Sequence, residues 1–129
     1  MNNLFISEFR KGNEIFPTVE LNAETGICSI SGNSYMQNSR DFFKPVLKWF
    51  KEYTSSKKGD LFLIYNLQNL NTGTSRVLYE ILEILKDYKK CGANVKLKWN
   101  HTEKPEMLVD DILDLISDFG IEIEIVSEN

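Results

Sequence analysis

The sequence predicts an α/β fold: a single domain over residues 1–129, with a mixed β-sheet and about three main helices. Three observations predict it. Apolar stretches of strand length alternate with longer amphipathic stretches of helical period, which implies parallel strands joined by right-handed crossovers. An alternating segment broken by a Gly-containing turn comes before them and adds an antiparallel portion. The chain has 129 residues with no repeat, low-complexity tract or linker, which is the size of one ordinary domain.

The elements follow in order. Pro17 to Leu21 and Ile27 to Ile30 alternate apolar and polar side chains around Ala23-Glu24-Thr25-Gly26, where Gly26 can supply a positive φ. A weaker strand is expected at Leu4 to Ile6. The first helix starts near Asn38 or Ser39, either of which can cap it, and Asp41 then suits the positive end of the dipole. Phe42, Phe43, Val46, Leu47, Phe50 and Tyr53 recur at helical spacing, with Trp49 flanking that face. Pro45 falls in the first two turns, where a missing N–H costs least near the start. Leu61 to Tyr65 is apolar without alternation, which predicts a central strand covered on both faces.

A second helix is expected from about Thr74 to Lys90, burying Val77, Leu78, Ile81, Leu82, Leu85 and Tyr88 and stopping at Gly92. Val95, Leu97 and Trp99 then alternate with Lys96, Lys98 and Asn100, as in a strand with one wetter face. A third helix is expected over about Pro105 to Asp118. The closing strand alternates Ile121, Ile123 and Ile125 with Glu122 and Glu124.

Composition excludes several function classes. Fifteen basic and 19 acidic side chains leave a net charge of −4, so no basic excess exists to neutralise a run of phosphates, and duplex nucleic acid is not an expected partner. No apolar run approaches the roughly 20 residues of a membrane span, and the first residues lack the basic and apolar regions of a signal peptide. The expected compartment is the cytoplasm, where Cys28 and Cys91 stay reduced and act as small core or edge residues rather than nucleophiles. Two cysteines and one histidine have no metal-type spacing, and no cofactor is expected. The glycine-rich nucleotide loops, the G-x-S-x-G elbow and the C-x5-R phosphatase loop are all missing.

His101 follows a strand in a polar turn, and Glu103 could orient it as a general base; a lone loop histidine is more often simply solvated. Asp110, Asp111, Asp114 and Asp118 make an acidic side on the third helix, which one helix face does not turn into a metal site. Charge is uneven: residues 101–129 carry net −8 and residues 76–100 net +3, an asymmetry able to steer a protein partner.

The most informative stretch is Asn71-Thr72-Gly73-Thr74-Ser75-Arg76, between the central strand and the second helix. Unpaired backbone N–H groups and the positive dipole end would favour a phosphoryl group added there, and Arg76 could pair with it. An ordinary cap, with Thr72 or Thr74 accepting from those N–H groups, reads the same residues more simply; the two readings are compatible.

Gly32-Asn33-Ser34-Tyr35-Met36-Gln37-Asn38-Ser39 followed by Phe42-Phe43-Lys44-Pro45 resembles the signature G-x-S-Y-P-E-N-S…F-F-x-P. Leu70 to Arg76 resembles (F/L)-N-T-S-S-x-K. Both belong to the SiaC-like bacterial regulatory phosphoproteins, and the resemblance runs from about Pro17 to Phe119. It implies a STAS-like fold of the anti-anti-sigma type and a non-catalytic, partner-switching role. It implies a cognate protein kinase, a PP2C-type phosphatase and an effector such as a diguanylate cyclase, bound and activated by the unphosphorylated form. The phosphoacceptor falls on Thr72, with Thr74 and Ser75 as alternates because Gly73 and Thr74 replace two serines. Asn71, Thr72, Gly73, Thr74, Ser75 and Arg76 are then the partner-binding residues. Met36-Gln37 replaces Pro-Glu and Arg76 replaces Lys, which keeps charge and changes geometry. A STAS-type antagonist of an anti-sigma factor, another protein-binding module, and a small enzyme using His101 are the alternatives.

Overall fold

The computed structural model describes residues 1–56, 59–101 and 122–127. In chain order the elements are β1 (Leu4–Ile6), β2 (Phe9–Lys11), β3 (Glu14–Phe16), β4 (Thr18–Leu21), β5 (Ile27–Ser34), α1 (Ser39–Ser56), β6 (Leu61–Leu70), α2 (Thr72–Lys90), β7 (Val95–His101) and β8 (Glu122–Ser127). Six strands form one mixed sheet in the order β1-β4-β5-β6-β7-β8, and β2 pairs with β3 as a separate hairpin. The expected third helix lies outside the described residues, as do Asp110, Asp111, Asp114, Asp118 and Glu103.

The predicted hairpin forms as β4 against β5, antiparallel, with Leu21 opposite Cys28. Gly26 closes it at φ 75°, and a Cβ there would stand 2.0 Å from the Asp60 carbonyl oxygen, so both conformation and space require glycine. From β5 onward the sheet is parallel: β5 to β6, β6 to β7 and β7 to β8. The register of β5 on β6 shifts between Gly32 and Asn33.

Strand order explains one departure from expectation. β5, β6 and β7 lie side by side in chain order, so right-handed crossovers put α1 and α2 on the same side of the sheet. Leu61, Leu63, Tyr65 and Leu67 are buried beneath those helices, while Phe62, Ile64 and Asn66 stay half-buried. Among the described residues, the unbroken apolar run therefore marks a central strand with helices over one face. No described helix covers the second face.

Asn38 caps α1: its Oδ1 accepts from the Asp41 N–H at 3.2 Å and its Nδ2 donates to the Asp41 carboxylate at 2.8 Å. Phe43, Val46, Leu47, Phe50 and Tyr53 are buried as spaced, and Trp49 is buried with them at 5 % exposure, its Nε1 donating to the Asn2 carbonyl at 3.0 Å. Phe42 instead turns towards the β2–β3 hairpin, which the sequence reading missed. Phe9 and Phe16 stack at 4.3 Å between centroids, and Phe16 lies 5.2 Å from Phe42. On α2 all six expected apolar residues are buried, and the Tyr65 hydroxyl donates to the Leu78 carbonyl at 3.1 Å. Each large side chain fully removed from water in this layer contributes about 1.5–3 kcal/mol.

Candidate functional site

β6 continues five residues beyond its expected end, to Leu70, and α2 begins two residues later at Thr72. Only Asn71 joins them. Its backbone is extended, at φ −96° and ψ 175°, and its N–H donates to the Ser34 carbonyl at 3.1 Å. Its side chain is the cap: Oδ1 accepts from the Thr74 N–H at 3.0 Å. Nδ2 donates to the Met36 carbonyl at 2.6 Å, tying the cap to the loop before α1. The sequence offers Thr72 or Thr74 as the cap; the structure places it on Asn71, because β6 runs on to Leu70 and α2 starts at Thr72.

That shift sorts the three candidate acceptors. Thr74 is fully buried, with Oγ1 2.8 Å from the Ser34 hydroxyl and 2.7 Å from Asn71 Oδ1. Asn71 Oδ1 can only accept, so Thr74 gives its proton there and receives one from Ser34. The Ser75 hydroxyl donates back to the Asn71 carbonyl at 3.2 Å. Thr72 is exposed, and its hydroxyl has no hydrogen bond among the described residues. Of the three, Thr72 alone is both accessible and unengaged.

The start of α1 packs directly against the start of α2. A Cβ on Gly73 would stand 2.7 Å from Ser39 Oγ, so glycine here makes room for that serine. Ser39 in turn donates to the Met36 sulfur at 3.2 Å, and the hydroxyls of Ser34 and Thr74 lie 3.7 and 3.6 Å from the same atom. Met36, at 2 % exposure, is thus buried among three hydroxyls and accepts from Ser39. Beside it, the hairpin turn and the loop before α1 enclose an open hollow of about 670 Å³, lined by Lys11, Glu14, Tyr35, Gln37 and Asn71 among others. Tyr35 is 58 % exposed there. One turn along α2, Arg76 is exposed, and on α1 Arg40 donates to the Glu80 carboxylate at 2.8 Å.

Asn71, Thr72, Gly73, Thr74, Ser75 and Arg76 therefore share one corner, with Thr74 facing inward rather than towards a partner. Tyr35, Lys11 and Arg40 were missed. The Gly12-Asn13 pair signalled the turn that carries Lys11, with Gly12 at φ 61°. Tyr35 stood in the Gly32 to Ser39 motif without a role read for it, and nothing local signalled Arg40, whose place depends on long-range packing. His101 ends β7, opposite Ser127 in register. Cys28 is buried, and burial pushes its thiol up to about 12, so it is no nucleophile at neutral pH. Cys91 is exposed at the end of α2. No cluster of metal-binding side chains and no helix long and apolar enough to cross a membrane is present among the described residues.

The site is thus a corner of a mixed α/β domain that presents an exposed, unengaged threonine at a helix start. The sequence matches the SiaC family of regulatory phosphoproteins over residues 10–128, and the chain belongs to that family. Membership places it among regulatory phosphoproteins rather than enzymes. An uncharacterised protein of Pseudomonas aeruginosa strain UCBPP-PA14 is 26% identical over 99 residues, which are 77% of this chain and 79% of that protein. The fold is similar to that of SiaC of Pseudomonas aeruginosa, with TM-score 0.83 at 24% identity over 99% of this chain and 100% of the other. It is also similar to SiaC in a crystal structure of the diguanylate cyclase SiaD in complex with its activator SiaC, from the same organism. There the TM-score is 0.81 at 23% identity, over 97% of this chain and 99% of the other.

Proposed function

We propose that this chain is a non-catalytic partner switch, with a STAS-like fold of the anti-anti-sigma type, whose unphosphorylated form binds and activates a diguanylate cyclase. In this reading a cognate kinase phosphorylates Thr72, a PP2C-type phosphatase reverses it, and all act in the cytoplasm. The single observation that carries the reading is the free Thr72 hydroxyl: exposed on the first residue of α2, and left out of the cap that Asn71 makes. A family of regulatory phosphoproteins and the activator role of SiaC in its complex with SiaD support it.

The mechanism follows from charge. A phosphoryl group adds about −1.5 to −2 charges and three acceptor oxygens. At Thr72 the domain itself tolerates them, since the backbone N–H groups of Thr72 and Gly73 stay free of the Asn71 cap and the dipole end is positive. An interface formed around a neutral hydroxyl does not, because the dianion loses water without a matched partner. One modification thus ejects the effector and leaves the fold intact.

Phosphopeptide mass spectrometry on protein from its native cells tests this. Trypsin releases Gly59 to Arg76 as one peptide holding Thr72, Thr74 and Ser75. The expected result is modification at Thr72 that varies with growth condition and disappears in Thr72→Ala. A peptide always unmodified, even without the phosphatase, refutes the switch.

A further inference from the structure

Arg76 and Glu80 stand four residues apart on α2, the spacing at which opposite charges on one helix face meet. They do not pair. Arg40 of α1 takes Glu80 instead, one guanidinium nitrogen donating to both carboxylate oxygens at 2.8 and 2.9 Å. Arg76 is exposed and has no ion pair among the described residues. Thr72 stands four residues before Arg76, so positions 72, 76 and 80 form one row along α2. Arg40 reaches that row from the neighbouring helix and occupies its far end.

We propose that Arg40 is a positioning residue for the switch: by holding Glu80 it keeps Arg76 unpaired, and Arg76 takes the phosphoryl group when Thr72 is modified. The proposal rests on Thr72 as acceptor and assigns the charge that answers it. Without Arg40, Glu80 is the nearest anion to Arg76 on its own helix and competes with the phosphate for it. With Arg40 in place the competition is removed before modification occurs. Modification then changes the outer surface twice over, adding a dianion and folding a cation back onto it. A guanidinium suits this role because it can meet two phosphate oxygens with two parallel N–H groups. Charged neighbours on the packed elements are Asp41 and Lys44 beside Arg40 on α1, Glu83 on α2, and Lys11 and Glu14 of the β2–β3 hairpin beside Asn71. Of these, Asp41 is engaged by Asn38 and Glu14 accepts from the Gln37 N–H.

The test uses full-length protein with phosphothreonine placed at position 72 by codon suppression, so that no kinase is needed. Phosphorus NMR reads the second pKa of the phosphate, and nitrogen–proton NMR reads the Arg76 Nε–H. In the parent the phosphate pKa should lie roughly 0.5 unit below the ordinary value of about 6, the size an exposed charged pair supplies. Arg76→Gln should raise it towards the ordinary value, leaving only the share that the helix N-terminus supplies. Arg40→Gln should return it part way and weaken the Arg76 Nε–H shift that phosphorylation produces. Arg40→Gln with Glu80→Gln should restore both, since the competitor is gone. Equal phosphate pKa values in parent and Arg76→Gln overturn the assignment of Arg76. An unchanged Arg76 signal in Arg40→Gln overturns the role of Arg40. Failure to find phosphate on Thr72 in cells would remove the proposed function while leaving these chemical readings to stand or fall separately.

Discussion

Asn71 uses its side chain in two directions at once, capping α2 through Oδ1 and holding the Met36 carbonyl through Nδ2. Asn71→Ala should therefore cost about 1–2 kcal/mol, read as a lower urea midpoint. Asn71→Asp separates the two roles. Asp caps as well as Asn in isolation, yet here it would aim a carboxylate oxygen at the Met36 carbonyl. It should destabilise too, by an amount that shrinks below pH 4 as the carboxyl gains a proton to donate. Thr72→Ala should leave stability within about 0.5 kcal/mol, because the hydroxyl holds nothing. Alkaline pH acts on other residues. Burial raises the Cys28 thiol from 9.0 to about 12 and lifts the Tyr65 phenol well above its usual 10. Both are neutral in the fold and ionise sooner when unfolded, so their contribution is complete below pH 9 and lost as pH rises towards 12. A pH series of urea midpoints should fall over that window, and Cys28→Ser should flatten its lower part. The Asn71 to Arg76 corner was legible at this scale and its cap was not. Asn, Thr and Ser all cap well, and only the true end of β6 decides which of them stands at the boundary.

Among the elements, α2 was the most legible. A helix covered on one side writes its burial at a fixed spacing, and Val77 through Tyr88 kept to it without exception. The β2–β3 hairpin was illegible for the opposite reason. Strands of three residues are too short for alternation to accumulate, and what holds them is a distant ring, Phe42, that the α1 pattern had assigned to the core. Phe16→Ala tests that dependence. Hydrogen exchange should accelerate through Phe9 to Phe16 while the β5 and β6 amides keep their protection, because among the described residues the Ile15–Tyr35 bridge is the hairpin's one backbone pairing with the sheet region. If protection falls equally everywhere, the hairpin is part of the main cooperative unit.

For the molecule as a whole, the decisive property is a sheet with both described helices on one side. Neighbouring residues on β6 should then report different environments. Leu63→Ala, under the helices, should cost about 2–5 kcal/mol, whereas Phe62→Ala, on the half-buried face, should cost clearly less despite its larger ring. Comparable losses would mean that the second face is covered. The apolar run at Leu61 to Tyr65 could not reveal this, because it encodes centrality in the sheet and strand order alone decides where the helices go. The opposite border of the sheet has its own consequence. β1 is three residues long, paired to β4 and fastened by Asn3 to the Ala23 N–H and by Trp49 to the Asn2 carbonyl. Beneath it lies β4, whose outer row of backbone groups would otherwise be a template for any passing strand. The first six residues thus act as a stopper. Removing them should leave the Asn71 corner untouched and bare β4 to edge-to-edge association, seen as larger species in light scattering.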